Sequence, residues 1–129
     1  MKPILRIIIL LPLIFISVQK AFSQGNPVTG TVNKDSTISF HVAGACEMCK
    51  DRIEKAAIKT KGVKSAVWDV QTHLLSLIFD ERKTNISKIE ESVAAVGHDT
   101  KGVTATDEAY NSIHPCCKYR DEEVKKDHE

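Results

Sequence analysis

The chain has 129 residues, with 18 Lys and Arg against 17 Asp and Glu, a size that accommodates one domain plus accessory segments. Residues 1–23 carry Lys2, Arg6 and Lys20; without them 15 basic side chains face 17 acidic ones, and the basic stripe that nucleic-acid binding requires is missing. The remaining length buries a modest core unaided, so the four cysteines are free for a purpose other than stapling the fold.

Lys2 and Arg6 precede Ile7 to Val18, a run of 12 residues that is apolar except for Pro12 and Ser17. Ala21-Phe22-Ser23 then places small residues where a signal peptidase cuts. The run is shorter than the ~20 apolar residues a membrane-spanning helix needs. Residues 1–23 are therefore expected to be a signal peptide, and the mature protein to be periplasmic or secreted and not membrane-spanning. In such an oxidising compartment cysteines pair as disulfides unless a metal or a redox partner claims them.

Residues 24–35 are polar, without periodicity, and read as a linker. Ser36 to Val42 alternates, with Ile38, Phe40 and Val42 on one side, and predicts a half-buried strand. After the break at Ala43-Gly44-Ala45 the period becomes helical. From Glu47 to Thr60, Cys49, Ile53, Ala56, Ala57 and Thr60 share one stripe, with Lys50, Glu54 and Lys59 facing away; Lys61-Gly62 ends the helix. Val63 to Val70 predicts a second strand (Ala66, Trp68 and Val70 on one face). Gln71-Thr72 is a tight connection to a third strand, His73 to Phe79, with Leu75, Leu77 and Phe79 inward. Beyond the polar loop 80–84, Ile86, Ile89, Val93 and Val96 predict a second helix that ends at Gly97, with Ser87 and Glu90 at capping-box spacing. His98 to Ala105 offers a last short strand around Val103.

This order, with one apolar stripe per helix and one apolar face per strand, predicts an α+β fold. Two helices cover one face of a four-stranded antiparallel sheet in a ferredoxin-like βαββαβ sandwich spanning 36–105. The tail, 106–129, offers one helical turn around Asp107 to Ile113, then His114-Pro115-Cys116-Cys117, and a charged end expected to be disordered.

Cys46 and Cys49 sit where the first strand hands over to the first helix. Unpaired amides and partial positive charge at a helix start stabilise thiolates. Two thiolates three residues apart can turn toward one soft ion: Cu(I), Zn(II), Cd(II) or Hg(II). The same spacing also serves thiol–disulfide redox centres and plain disulfides, so the pair alone leaves those readings open.

Phe40-His41-Val42-Ala43-Gly44-Ala45-Cys46-Glu47-Met48-Cys49, followed by Ile53-Glu54-Lys55-Ala56 and Gly62-Val63, resembles the heavy-metal-associated domain family. That family includes copper chaperones, soluble domains of copper-exporting ATPases and periplasmic mercury-binding proteins. Trp68-Asp69-Val70, Phe79-Asp80 and Ala95-Val96-Gly97-His98 extend the likeness. It implies a non-enzymatic carrier of a soft ion, most often copper, on Cys46 and Cys49, with a metal-transporting or metal-accepting protein as partner. Family members usually carry methionine two residues before the first cysteine; Gly44 stands there and frees the loop backbone. Met48, between the cysteines, is not assigned that role. His98 replaces a common aromatic at the Gly97 turn, the same end of the sheet as the loop, and is a candidate third ligand or charge partner beside its alternative as a surface turn residue. His41 and His73 read as ordinary surface residues.

The tail supplies further candidate soft ligands in His114, Cys116 and Cys117. Crossing the sheet, ~20 Å for six residues of strand, is within reach of residues 106–115 if largely extended. Against metal carriage stands an envelope thiol–disulfide oxidoreductase using the same two cysteines. The strand order is wrong for a thioredoxin-type enzyme, and neither Pro27 nor Pro115 falls inside the domain to serve as a peptide-binding cis-proline.

Overall fold

The computed structural model describes residues 34–127, so the expected signal peptide and all but the last two residues of the linker lie outside the described residues. The alternating segments form β1 (Asp35–His41), β2 (Val63–Trp68) and β3 (Leu74–Asp80), an antiparallel sheet in the order β1-β3-β2. Register places Leu75 between Phe40 and Trp68, and Leu77 between Ile38 and Ala66, so the apolar positions read from the sequence share one face. Phe40, Trp68, Leu75, Leu77 and Phe79 are buried there.

Helix α1 (Glu47–Lys59) buries Cys49, Ile53, Ala56 and Ala57, the stripe its sequence period marks out. Helix α2 (Ile86–Ala94) adds Ile89 and Val93 to the same core, while Ile86 is exposed. Its cap is not the Ser87/Glu90 pair. Asn85 Oδ1 accepts the Lys88 N–H at 3.0 Å, and Glu90 reaches away to accept the Gly102 N–H at 2.8 Å. Lys50 and Glu54 also differ from expectation. Glu54 accepts the Trp68 N–H at 2.8 Å and Lys50 donates to the Trp68 carbonyl, so two charged side chains satisfy the backbone of Trp68 at the end of β2.

The expected fourth strand is reduced to an isolated bridge, Val42↔Thr100, beside an Ala43 N–H to Asp99 O bond of 2.8 Å. Thr100 and Val103 close a turn instead. The Thr100 N–H donates to Val103 O at 2.8 Å, and the Val103 N–H donates to Thr100 Oγ1 at 2.9 Å. These local bonds occupy backbone groups that a ladder would use. Among the described residues the sheet therefore has three strands rather than four.

The tail is structured through residue 127. It forms α3 (Asp107–Asn111), capped by Thr106, then a 3₁₀ turn at Pro115–Cys117, then α4 (Glu122–Asp127). Ile113, Cys117 and Tyr119 are buried and join the main core. Gly97 makes room for this return. Its φ is 95°, in the left-handed region, and a Cβ there would lie 2.5 Å from Ile113 Cγ2. The tail reaches the loop end of the sheet as helix and turn, not as the extended span that its length alone suggested.

Candidate metal centre

The loop 42–46 joins β1 to α1, and Cys46 is the N-cap residue of α1 with extended backbone (φ −150°). The Ala45 N–H donates to Cys49 Sγ at 3.4 Å, which turns that thiol back under the loop. Beneath it lies Trp68, fully buried, with Nε1–H donating to Val42 O at 3.1 Å. A Cβ on Gly44 would meet the indole Cη2 at 2.9 Å and Cys49 Cβ at 3.1 Å. The glycine is thus there for space. The indole fills the region under the loop, and backbone freedom is not what the position requires.

Four sulfurs gather at this end. Cys46 Sγ lies 3.5 Å from Cys49 Sγ, 3.6 Å from Cys116 Sγ and 3.6 Å from Cys117 Sγ, and Cys116 and Cys117 are 4.0 Å apart. All four are free thiols. Sulfurs about 2.3 Å from a common tetrahedral ion stand about 3.8 Å apart, so these separations match a shared coordination sphere. Cys46, Cys116 and Cys117 are mutually within 4.8 Å. Cys49 and Cys117 are buried, while Cys46 and Cys116 are half-buried.

Burial pushes the Cys46 thiol up, but the Cys49 backbone amide and the thiols of Cys49, Cys117 and Cys116 outweigh it and hold Cys46 below its ordinary value. Burial pushes Cys49 up despite the Ala45 amide, and raises Cys116 as well. Cys117 is raised furthest, by burial and then by the neighbouring Cys49 and Cys46 thiols. Cys46 is therefore the most readily deprotonated of the four, and the other three hold their protons more firmly.

His98 lies close to the loop but is fully buried, so it is not a surface turn residue. Its Nδ1 is 2.9 Å from Ala43 O, which accepts, and its ring stacks on Tyr119 at 5.7 Å between centroids. Nε2 is buried with no hydrogen-bond partner among the described residues. Burial lowers its pKa, the Ala43 bond opposing in part. His98 thus braces the loop from behind, and the cysteine cluster is assembled without it. His114 Nδ1 stands 3.2 Å from Cys116 Sγ and accepts the Cys116 N–H at 3.3 Å. His73 is half-buried, adopts φ 56°, and stacks on Trp68 at 5.6 Å and 3°, so it is not an ordinary surface side chain; His41 is exposed beside it.

What holds the tail in place was not anticipated. Arg120 Nη2 donates to Asp99 Oδ1 at 2.6 Å and to Ala105 O at 3.0 Å, and its guanidinium lies 4.3 Å from the Tyr110 ring centroid. Tyr119 O–H donates to Gly97 O at 3.0 Å and accepts the Asp99 N–H at 2.9 Å. The only trace of this in the sequence is Tyr119 and Arg120 closely following Cys117, in a segment whose charge suggests a solvated end. Met48, to which the family pattern assigns no role, has its Sδ 3.6 Å from Cys116 Sγ.

Residues 39–99 match the heavy-metal-associated domain family. The chain is 28% identical over 57 residues to the copper chaperone CopZ of Staphylococcus haemolyticus, an alignment covering 44% of this chain and 84% of that protein. Among solved structures it is similar to oxidized MerP from Ralstonia metallidurans CH34 (26% identity, TM-score 0.50, 52% of this chain and 94% of that one). It is also similar to the N-terminal domain of a potential copper-translocating P-type ATPase from Bacillus subtilis in the Cu(I)-loaded state (25% identity, TM-score 0.50, 52% and 85%). The family match ends at residue 99, so Cys116, Cys117, Tyr119 and Arg120 lie outside it, while their anchors Gly97 and Asp99 lie within.

Proposed function

Residues 39–99 of this chain are a heavy-metal-associated domain, and we propose that the protein carries one soft metal ion, Cu(I) foremost, on Cys46 and Cys49, with Cys117 of the tail as third ligand. The ion is cargo, received and handed on to a metal-accepting protein. Zn(II), Cd(II) and Hg(II) share the affinity for thiolate. The observation that carries this reading is the position of Cys46 Sγ, 3.5 Å from Cys49 Sγ and 3.6 Å from Cys117 Sγ. Two relatives favour copper: CopZ is a copper chaperone, and the B. subtilis domain was solved with Cu(I).

Capture begins at Cys46, the most readily deprotonated thiol, at the helix start. Cys49 and Cys117 follow, each releasing a proton to water as its sulfur enters the shell. Because Cys46 and Cys116 remain partly open, an acceptor thiolate can attack the ion from the solvent side and displace the protein's sulfurs one at a time. The leader-like layout of residues 1–23 supports a periplasmic or secreted location for this exchange. X-ray absorption on the Cu(I)-loaded full chain tests the ligand set. Three sulfur ligands in wild type and two in Cys117→Ser support it; two in both would remove the tail from the site.

A further inference from the structure

The cysteine cluster has a solvent-facing side that the Cys46–Cys49–Cys117 ligand set does not use. Cys116 Sγ, half-buried at the edge of the cluster, also meets two exposed side chains: Met48 Sδ at 3.6 Å and His114 Nδ1 at 3.2 Å. Thiolate, thioether and imidazole are all soft or borderline ligands. Two different elements supply them, Met48 the first turn of α1 and His114 with Cys116 the 3₁₀ turn of the tail. The two separations from Cys116 suit ligands about 2.0–2.3 Å from one ion. Met48 is 51% exposed, and its polarizable sulfur faces the Cys116 thiol.

We propose that Met48, His114 and Cys116 form a second soft-ion site on the solvent side of Cys46, outside the Cys46–Cys49–Cys117 site. The inference rests on the metal-carrier reading above. Cys46 Sγ is 3.6 Å from both Cys116 and Cys117, so its thiolate can bridge the two ions. The balance is simple ligand exchange without electron transfer. Cu(I) stays Cu(I), Cys116 loses its proton to water, and Met48 and His114 bind as neutral donors. The inner site is closed by buried thiols. The outer one is open, holds its ion through only one anionic ligand of its own, and is the position from which an ion enters or leaves.

Met48 is one of only two methionines in the chain, the other being Met1, which makes its ε-methyl carbon a clean probe. The reduced full chain, labelled at methionine methyls, is titrated anaerobically with Cu(I) and followed by NMR and native mass spectrometry. The expected result is that the first equivalent leaves the Met48 methyl unshifted and the second shifts it. Met48→Leu and His114→Ala should keep the first ion and lose the second. Uptake of two ions by both variants, or a Met48 methyl unmoved through two equivalents, would overturn the outer site. A shift complete at one equivalent would overturn it too, by showing a single site that includes Met48. Failure of the carrier reading looks different: the first equivalent would then bind equally well to Cys46→Ser/Cys49→Ser.

Discussion

Gly44 and Trp68 occupy one another's space: a Cβ at Gly44 would fall 2.9 Å from the indole Cη2 and 3.0 Å from Cζ2. The indole supports the metal loop from below and is pinned by Val42 O on one side and by Glu54 and Lys50 at its own backbone on the other. Loop and strand are therefore packed as one unit. Gly44→Ala is expected to cost about 1–3 kcal/mol, the usual effect of overpacking a filled interior. Chemical denaturation measures the loss, and Trp68 fluorescence, the single tryptophan signal, should shift as the ring is displaced.

The tail depends on Arg120. Its guanidinium bonds Asp99 and Ala105 and covers Tyr110, which fixes the 3₁₀ turn that presents Cys116 and Cys117. Arg120→Ala should leave the 34–99 core folded while accelerating alkylation of Cys116 and Cys117 relative to Cys46 in the metal-free reduced protein; mass mapping of the labelled sites checks this. Truncation after Ala105 is a harsher change, because it removes Ile113 and Tyr119 from the core. Losses of about 2–5 kcal/mol accompany deletion of even one large core side chain.

The sequence revealed the centre of the fold and misjudged its margins. Strict alternation at Ile38, Phe40, Leu75, Leu77 and Phe79, and the 3.6-residue stripe of Cys49, Ile53 and Ala57, are signals that burial imposes along a single element. Val103 stood in too short a segment for such a signal, and side-chain bonding at Thr100 converted it to a turn. The tail failed for another reason. Ile113, Cys117 and Tyr119 have no common period, because each enters the core from a separate short turn, and what fastens them is a polar network that pairs Arg120 with Asp99, 21 residues away. Cys46 and Cys49 were recognisable from local spacing; the convergence of Cys116, Cys117 and Met48 on them is a tertiary fact.

His98 gives the fold a dependence on acid. It is buried and neutral, donating from Nδ1 to Ala43 O, and burial lowers its pKa below that of a free imidazole. The unfolded chain thus takes up a proton near pH 6.5 that the folded chain resists. Stability is fully present above that pH and declines as pH falls below it. Urea midpoints measured on the metal-free protein between pH 8 and 5 should fall in wild type and stay flatter in His98→Phe. Parallel curves for the two proteins would mean that other groups govern the acid limb.

Competition titration of the reduced protein with a Cu(I) chelator of known affinity, under anaerobic conditions, compares wild type with Cys46→Ser/Cys49→Ser. Cys46 is the N-cap of α1 but Cys49 is buried in the core, so the comparison uses a double variant whose circular dichroism spectrum matches that of wild type. With the hub thiolate and its nearest partner gone, affinity should fall by at least ~100-fold, equivalent to about 2.7 kcal/mol. Cu(I) affinity within threefold of wild type in a folded double variant would contradict metal carriage at this loop.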